Sequence, residues 1–177
     1  MIANNIKAYP LSNLDIVLMT KQVRHFLKLG ELTRIDIIKV LEFALPLVVP
    51  NFSYVIRAIE DMDYPDKHAY CIPDKNIIVI REDIYERAVK GEGRDRFTIA
   101  HEIAHLLLHK NEAMILTRVY NNETIKTFEN PEWQADAFAG ELLCPARATR
   151  TMTVQAAADF YGVSLDAARN QKKKGGK

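Results

Sequence analysis

Apolar residues fall along this chain in a series of short periodic runs separated by turn-forming residues, and each run predicts an element. Ser12 opens the first, with Asp15 three residues on as a capping-box acid. A helix to Leu29 follows, with Leu14, Val17, Leu18, Phe26 and Leu27 as its buried stripe and Gly30 as its stop. Thr33, with Asp36 three residues on, starts a second helix running to about Leu45. Pro46 ends it, and Pro50 closes the connection. The pattern then changes period. Residues 53–60, 70–72 and 77–80 are rich in Val, Ile, Tyr and Cys and read as strands, the last two joined by the turn Pro73-Asp74-Lys75-Asn76. Three successive strands with short connections predict an antiparallel sheet. Arg81–Lys90 is a short helix with Glu82 and Asp83 in its first turn, and Gly91 is its stop.

A helix beginning at Asp95 or Arg96 and running through His109 is apolar nearly all round, which predicts burial. Its polar members therefore need a reason to be there. They are His101, Glu102 and His105, spaced H-E-x-x-H. On a helix, residues four apart stack on one face, so two imidazoles converge on one metal ion. Glu102 then lies where a general base can reach a water at that metal, the arrangement of zinc hydrolases. A third ligand comes from a second helix that Asn130 caps and Pro131 opens. Glu132 and Asp136 lie four apart on it. In the two-His, one-Glu pattern the Glu binds metal and the Asp accepts the other N–H of a ligand histidine. Glu129 is the rival ligand. Glu132 is preferred because Asp136 falls one turn on, while Ala135 and Ala139 allow close helix packing. His109 is a further turn along from His105, and is read as pairing with a second-helix acid or touching substrate. Residues 110–129 are polar and long enough to border a cleft, with Tyr120 as the candidate hydrogen-bond donor to an oxyanion. Asp61, Asp63, Asp66 and His68 read as a solvated turn, His25 as an ordinary surface or packed histidine.

The block Arg-Asp-Arg-Phe-Thr-Ile-Ala-His-Glu-Ile-Ala-His-Leu-Leu-Leu-His (94–109), followed by Glu-Trp-Gln-Ala-Asp-Ala-Phe-Ala-Gly-Glu-Leu-Leu-Cys-Pro (132–145), resembles the ImmA/IrrE family of zinc metallopeptidases. Tyr-Gly-Val-Ser-Leu-Asp-Ala-Ala-Arg (161–169) is similar to that family's closing segment, so the likeness covers about residues 54–170. Asp136 stands where many members carry Asn, and Cys144 where many carry Met. The resemblance implies an α+β zincin-like fold with one Zn2+ per chain. It implies His101, His105 and Glu132 as ligands, Glu102 as catalytic base, and a helix-turn-helix repressor as substrate. Some members are toxin-like halves of paired operons, so an antitoxin is another implied partner. A zinc-binding protein that acts on a partner without cutting it is the alternative.

Composition changes this picture little. The 177 residues are 48% hydrophobic and 27% charged, ordinary globular usage. A net charge of +1 argues against direct nucleic-acid binding. No apolar run approaches a membrane span, residues 1–20 lack a signal-peptide pattern, and Cys71 and Cys144 read as reduced thiols. These features suggest a cytoplasmic protein. The expected organisation is a helical segment over 1–50, a metallopeptidase core over 51–150, a helix-turn-helix-like hairpin over 151–170 with Ala156, Ala157 and Phe160 facing inward and Val163 and Leu165 behind the turn, and a disordered basic tail over 171–177.

Overall fold

A computed structural model describes residues 6–109, 117–118 and 125–176. The architecture is α+β. Helix α1 spans Asn13–Phe26, and Ser12 and Asp15 form the expected capping box. Its buried face is not the expected stripe. Leu14, Leu18 and Phe26 are exposed, while Ile16, Thr20 and Arg24 are buried. The two polar members are tolerated because they are bonded: Thr20 donates to the Val17 carbonyl, and Arg24 donates to the carbonyls of Leu142, Gly30 and Thr33. The helix stops before Gly30. Lys28 takes the left-handed conformation at φ 57°, and the Leu29 N–H closes back on the Arg24 carbonyl.

The second helical stretch is capped by Asp36, not Thr33, through a bond from the Lys39 N–H. It runs as α2 (Ile37–Lys39), a π-helical turn (Val40–Ala44) and α3 (Leu45–Val48). Pro46 therefore lies inside the stretch instead of ending it. A proline ring clashes with the carbonyl four residues back and offers no N–H, and the wider π turn just before it accommodates both faults.

Strands β2 (Ser53–Arg57), β3 (Ala69–Ile72) and β4 (Ile77–Arg81) form the main sheet, and β1 (Ile6–Lys7) pairs antiparallel with β5 (Thr117–Arg118). The expectation of a wholly antiparallel three-stranded sheet is corrected here. The order is β2-β4-β3, with β4 antiparallel to β3 and parallel to β2. The cause lies in β4. Its Ile78, Val79 and Ile80 are all buried, so it has no face for water and takes the centre. The turn at Pro73–Lys75, closed by left-handed Asn76, folds β3 against it. Residues 58–68 then carry the chain across so that β2 meets β4 and not β3.

Helix α4 spans Glu82–Val89, and Gly91 follows at φ 96°. Helix α5, Gly93–Leu108, runs through the core: Ile99, Ala100, Ile103, Ala104 and Leu106 are fully buried. It begins earlier than expected, at Gly93. A Cβ there would lie 2.6 Å from the Val163 carbonyl carbon, so glycine lets the C-terminal hairpin close onto the start of α5. Helix α6, Pro131–Leu143, is capped by Asn130 and packs along α5. Ala135 and Ala139 are fully buried on it.

Helices α7 (Val154–Tyr161) and α8 (Leu165–Gly175) turn at left-handed Gly162. Their inward residues are Ala157, Ala158, Tyr161, Val163 and Ala168, while Ala156 and Phe160, expected inward, are exposed. Residues 171–175, expected as part of a disordered tail, continue α8. Buried Gln171 holds that end, donating to Glu141 Oε2 at 2.8 Å and to the Cys144 carbonyl at 2.9 Å. No helix among the described residues is long and apolar enough to cross a membrane.

Candidate metal centre

The 3.6-residue period brings His101 and His105 over one another on α5, and the α5–α6 packing brings Glu132 opposite them. The two Nε2 atoms are 2.9 Å apart. Glu132 Oε2 is 3.3 Å from His101 Nε2, and its Oε1 is 3.6 Å from His105 Nε2. Among the described residues, this trio is the group of His, Cys, Asp and Glu side chains that converges as metal ligands do. Asp61, Asp63, Asp66 and His68 do not converge, and Asp63 instead pairs with Arg57 at 2.9 Å and accepts from Tyr70.

The donor set fits a divalent cation. Two imidazole nitrogens and a carboxylate oxygen are donors that zinc takes, in the number a catalytic site uses. The charge balance fits as well. The His101 and His105 imidazoles hold the Glu132 carboxyl well below the usual range. Burial opposes protonation of His101, yet hydrogen bonds with Asp136 and Glu132 raise it to about 10. The cluster thus draws a positive charge to itself, which a bound cation supplies.

Around the trio, Asp136 Oδ1 lies 2.8 Å from His101 Nδ1. A carboxylate there makes Nδ1 the protonated nitrogen and leaves the Nε2 lone pair free. Glu102 is almost fully buried, and burial raises its carboxyl pKa against the lowering influence of His101 and His105. It shares a cleft of about 250 Å³ with His101, His105, Glu132, Tyr70 and Cys71. Cys71 is a free thiol pushed upward by burial, with Glu102 adding to the shift. Strand β3 therefore forms one wall of the cleft, and among the described residues it pairs on one side only.

The rival ligand Glu129 lies apart from this trio, buried and paired with Lys7 at 2.9 Å. Among the described residues His109 pairs with no acid, and it borders the same cleft from a buried position. It is buried, with Nδ1 2.9 Å from His105 Nδ1 and Nε2 2.9 Å from Gln134 Oε1. Both ring nitrogens are thus engaged inside the protein, and burial lowers its pKa to about 4. Tyr120 lies outside the described residues. Gln134 escapes a reading of the sequence altogether. The one signal for it is a histidine, His109, on a helix apolar enough to be buried, which requires a polar partner.

An α+β fold with a buried H-E-x-x-H helix packed against a second acid-bearing helix defines a zincin-like domain. Compared with known families, the chain matches the IrrE N-terminal-like domain of the M78 peptidases over residues 55–171. It belongs to that family, which is a family of peptidases. None of the curated proteins compared with it matches.

Proposed function

We propose that the protein is a zinc-dependent endopeptidase that cuts a protein partner. One observation carries the reading: His101, His105 and Glu132 converge at the mouth of a cleft that also holds the buried carboxyl of Glu102. His101, His105 and Glu132 would hold the ion. Bound there, zinc supplies Lewis acidity to the scissile carbonyl and acidity to a water. Glu102 takes one proton from that water as its oxygen adds to the carbonyl carbon. It passes the proton to the departing nitrogen as the C–N bond breaks, leaving an amine and a carboxylic acid, which gives up its remaining proton to water at neutral pH. Burial, which raises the pKa of the Glu102 carboxyl, helps it hold the proton between the two halves of that transfer. Asp136 keeps His101 oriented. The edge of β3 that is unpaired among the described residues is suited to an extended peptide, which it would bind by main-chain hydrogen bonds beside the reacting groups.

For the substrate we favour a helix-turn-helix repressor or antitoxin, on the strength of the sequence likeness to ImmA/IrrE proteins. The test is to mix the zinc-loaded protein with a small helix-turn-helix protein encoded beside it and look for a fragment on a gel. Glu102→Gln keeps size and hydrogen bonding but accepts no proton. It is expected to fold, bind zinc as the wild type does, and lose about 10²–10⁴-fold in cleavage rate. If wild type and variant act equally on the partner and neither yields a fragment, binding without cleavage replaces the peptidase reading.

A further inference from the structure

Both nitrogens of a neutral imidazole are polar, but only the one without a proton ligates a metal. Something must therefore decide which nitrogen of His105 keeps its proton. For His101 that is Asp136. For His105 there is no carboxylate at Nδ1 among the described residues; its neighbour is His109.

The order of donors can be read from the far end inward. The Gln134 amide is fully buried. Its Nε2 lies 2.8 Å from the Tyr9 carbonyl and 2.8 Å from the Phe128 carbonyl. Carbonyls only accept, so the NH2 of Gln134 must face them and its Oε1 must face away. Both carbonyls belong to chain that is itself pinned: Ala8 N–H donates to the Glu129 carbonyl at 2.8 Å, and Leu11 N–H to the Phe128 carbonyl at 2.9 Å. Gln134 Oε1 accepts from His109 Nε2 at 2.9 Å, so that nitrogen carries the proton. His109 Nδ1 is then an acceptor. It lies 2.9 Å from His105 Nδ1, which must donate. The His105 proton is fixed on Nδ1, and its Nε2 lone pair faces Glu132 and His101.

We propose that His109 and Gln134 are positioning residues, a relay of hydrogen bonds that sets the tautomer of His105 from two backbone carbonyls and so keeps Nε2 ready for metal. Its bearing on metal binding rests on the metal-centre reading above. The tautomer itself does not. The relay requires an acceptor where His109 Nδ1 now stands. The substitution His109→Asn puts an amide oxygen at that place, because both atoms hang on Cγ. The substitution His109→Gln carries the amide one atom further, toward Gln134, and leaves His105 Nδ1 without an acceptor.

The test compares zinc affinity, by competition with a chelator, in wild type, His109→Asn and His109→Gln. Nitrogen-15 spectra of His105 are recorded in the metal-free wild type, with thermal midpoints for all three proteins. His109→Asn is expected to stay within about threefold of wild-type affinity. His109→Gln is expected to lose about 10–100-fold, the usual cost of removing such a partner. A role in packing alone predicts the opposite order, since Asn leaves the larger hole. The spectra are expected to show Nδ1–H on His105. Equal affinities in the two variants, weaker binding by His109→Asn, or Nε2–H on His105 would each overturn the relay. A wild type that binds no zinc would overturn the metal centre instead, and the tautomer would still decide the relay. Should a variant fail to fold, the wild-type spectrum decides.

Discussion

Which acid completes the trio is decided at the level of single side chains. Glu129 and Glu132 are three residues apart, and both precede Asp136. Glu129 sits on the short turn Thr127–Glu129, and its charge is already answered by Lys7. Glu132 begins α6, where Asn130 caps the helix with bonds from the N–H groups of Glu132 and Trp133. That cap sets the helical phase, and with it the four-residue step that puts Glu132 and Asp136 beside the same histidine. Glu132→Gln is therefore expected to weaken metal binding at least about tenfold, whereas Glu129→Gln keeps it within about threefold, by chelator competition. The reverse result would shift the ligand by one turn. The trio is legible because helical spacing is a property of the sequence itself. The partners of His109 are not. Gln134 is oriented by carbonyls at residues 9 and 128, and only the fold brings those together.

At the scale of elements, the helix starts at Ser12 and Asn130 are legible because a side chain caps the backbone directly, whereas at α2 two candidate caps lie three residues apart and Asp36, not Thr33, is the one that bonds. Helix faces are less so. Buried Thr20 and Arg24 look like surface residues until their carbonyl partners are in view. Sheet order is hidden in the same way, because strands adjacent in sequence need not be adjacent in space, although the unbroken apolar run of β4 marks a central strand. The contact between α6 and α8 holds another such polar residue. Glu141 is buried, accepts from Gln171 Nε2 and from the Ala146 N–H, and has its pKa raised by burial despite those bonds. A carboxyl whose folded pKa lies above its unfolded value holds its proton longer when folded. Its contribution to stability is present below the ordinary carboxylate range and is lost as pH rises through the folded value. Glu141→Gln keeps an acceptor oxygen without the charge. Its stability relative to wild type, measured by urea unfolding, is expected to be greater at about pH 8 than at about pH 4. A pH-independent difference would mean that Glu141 titrates in the fold as it does in the unfolded chain.

Across the whole molecule, two buried arginines tie the outer helices to the α5–α6 pair. Arg24 carries α1 onto the Leu142 carbonyl of α6. Arg96, on α5, donates to the Ile35 carbonyl ahead of α2 and to the Tyr161 and Gly162 carbonyls at the turn of the C-terminal hairpin. Burial lowers the Arg96 pKa to about 10, so it stays charged at neutral pH with its N–H groups directed at these carbonyls. The hairpin is thus fastened a little over one turn before His101, on the same helix. A guanidinium presents a planar fork that reaches three acceptors at once, and an ammonium on a lysine stem does not. Arg96→Lys leaves at least one buried carbonyl unpaired, which costs about 1–3 kcal/mol. Urea unfolding of the metal-free protein is expected to show a loss of that size, while zinc affinity changes less than about threefold because the ligand positions on α5 and α6 are held by their own packing. A stability change under about 0.5 kcal/mol, the range of ordinary surface substitutions, would mean that the hairpin and the 35–36 segment are held by apolar packing alone. A collapse of zinc affinity with little loss of stability would mean instead that Arg96 acts on the metal centre through α5.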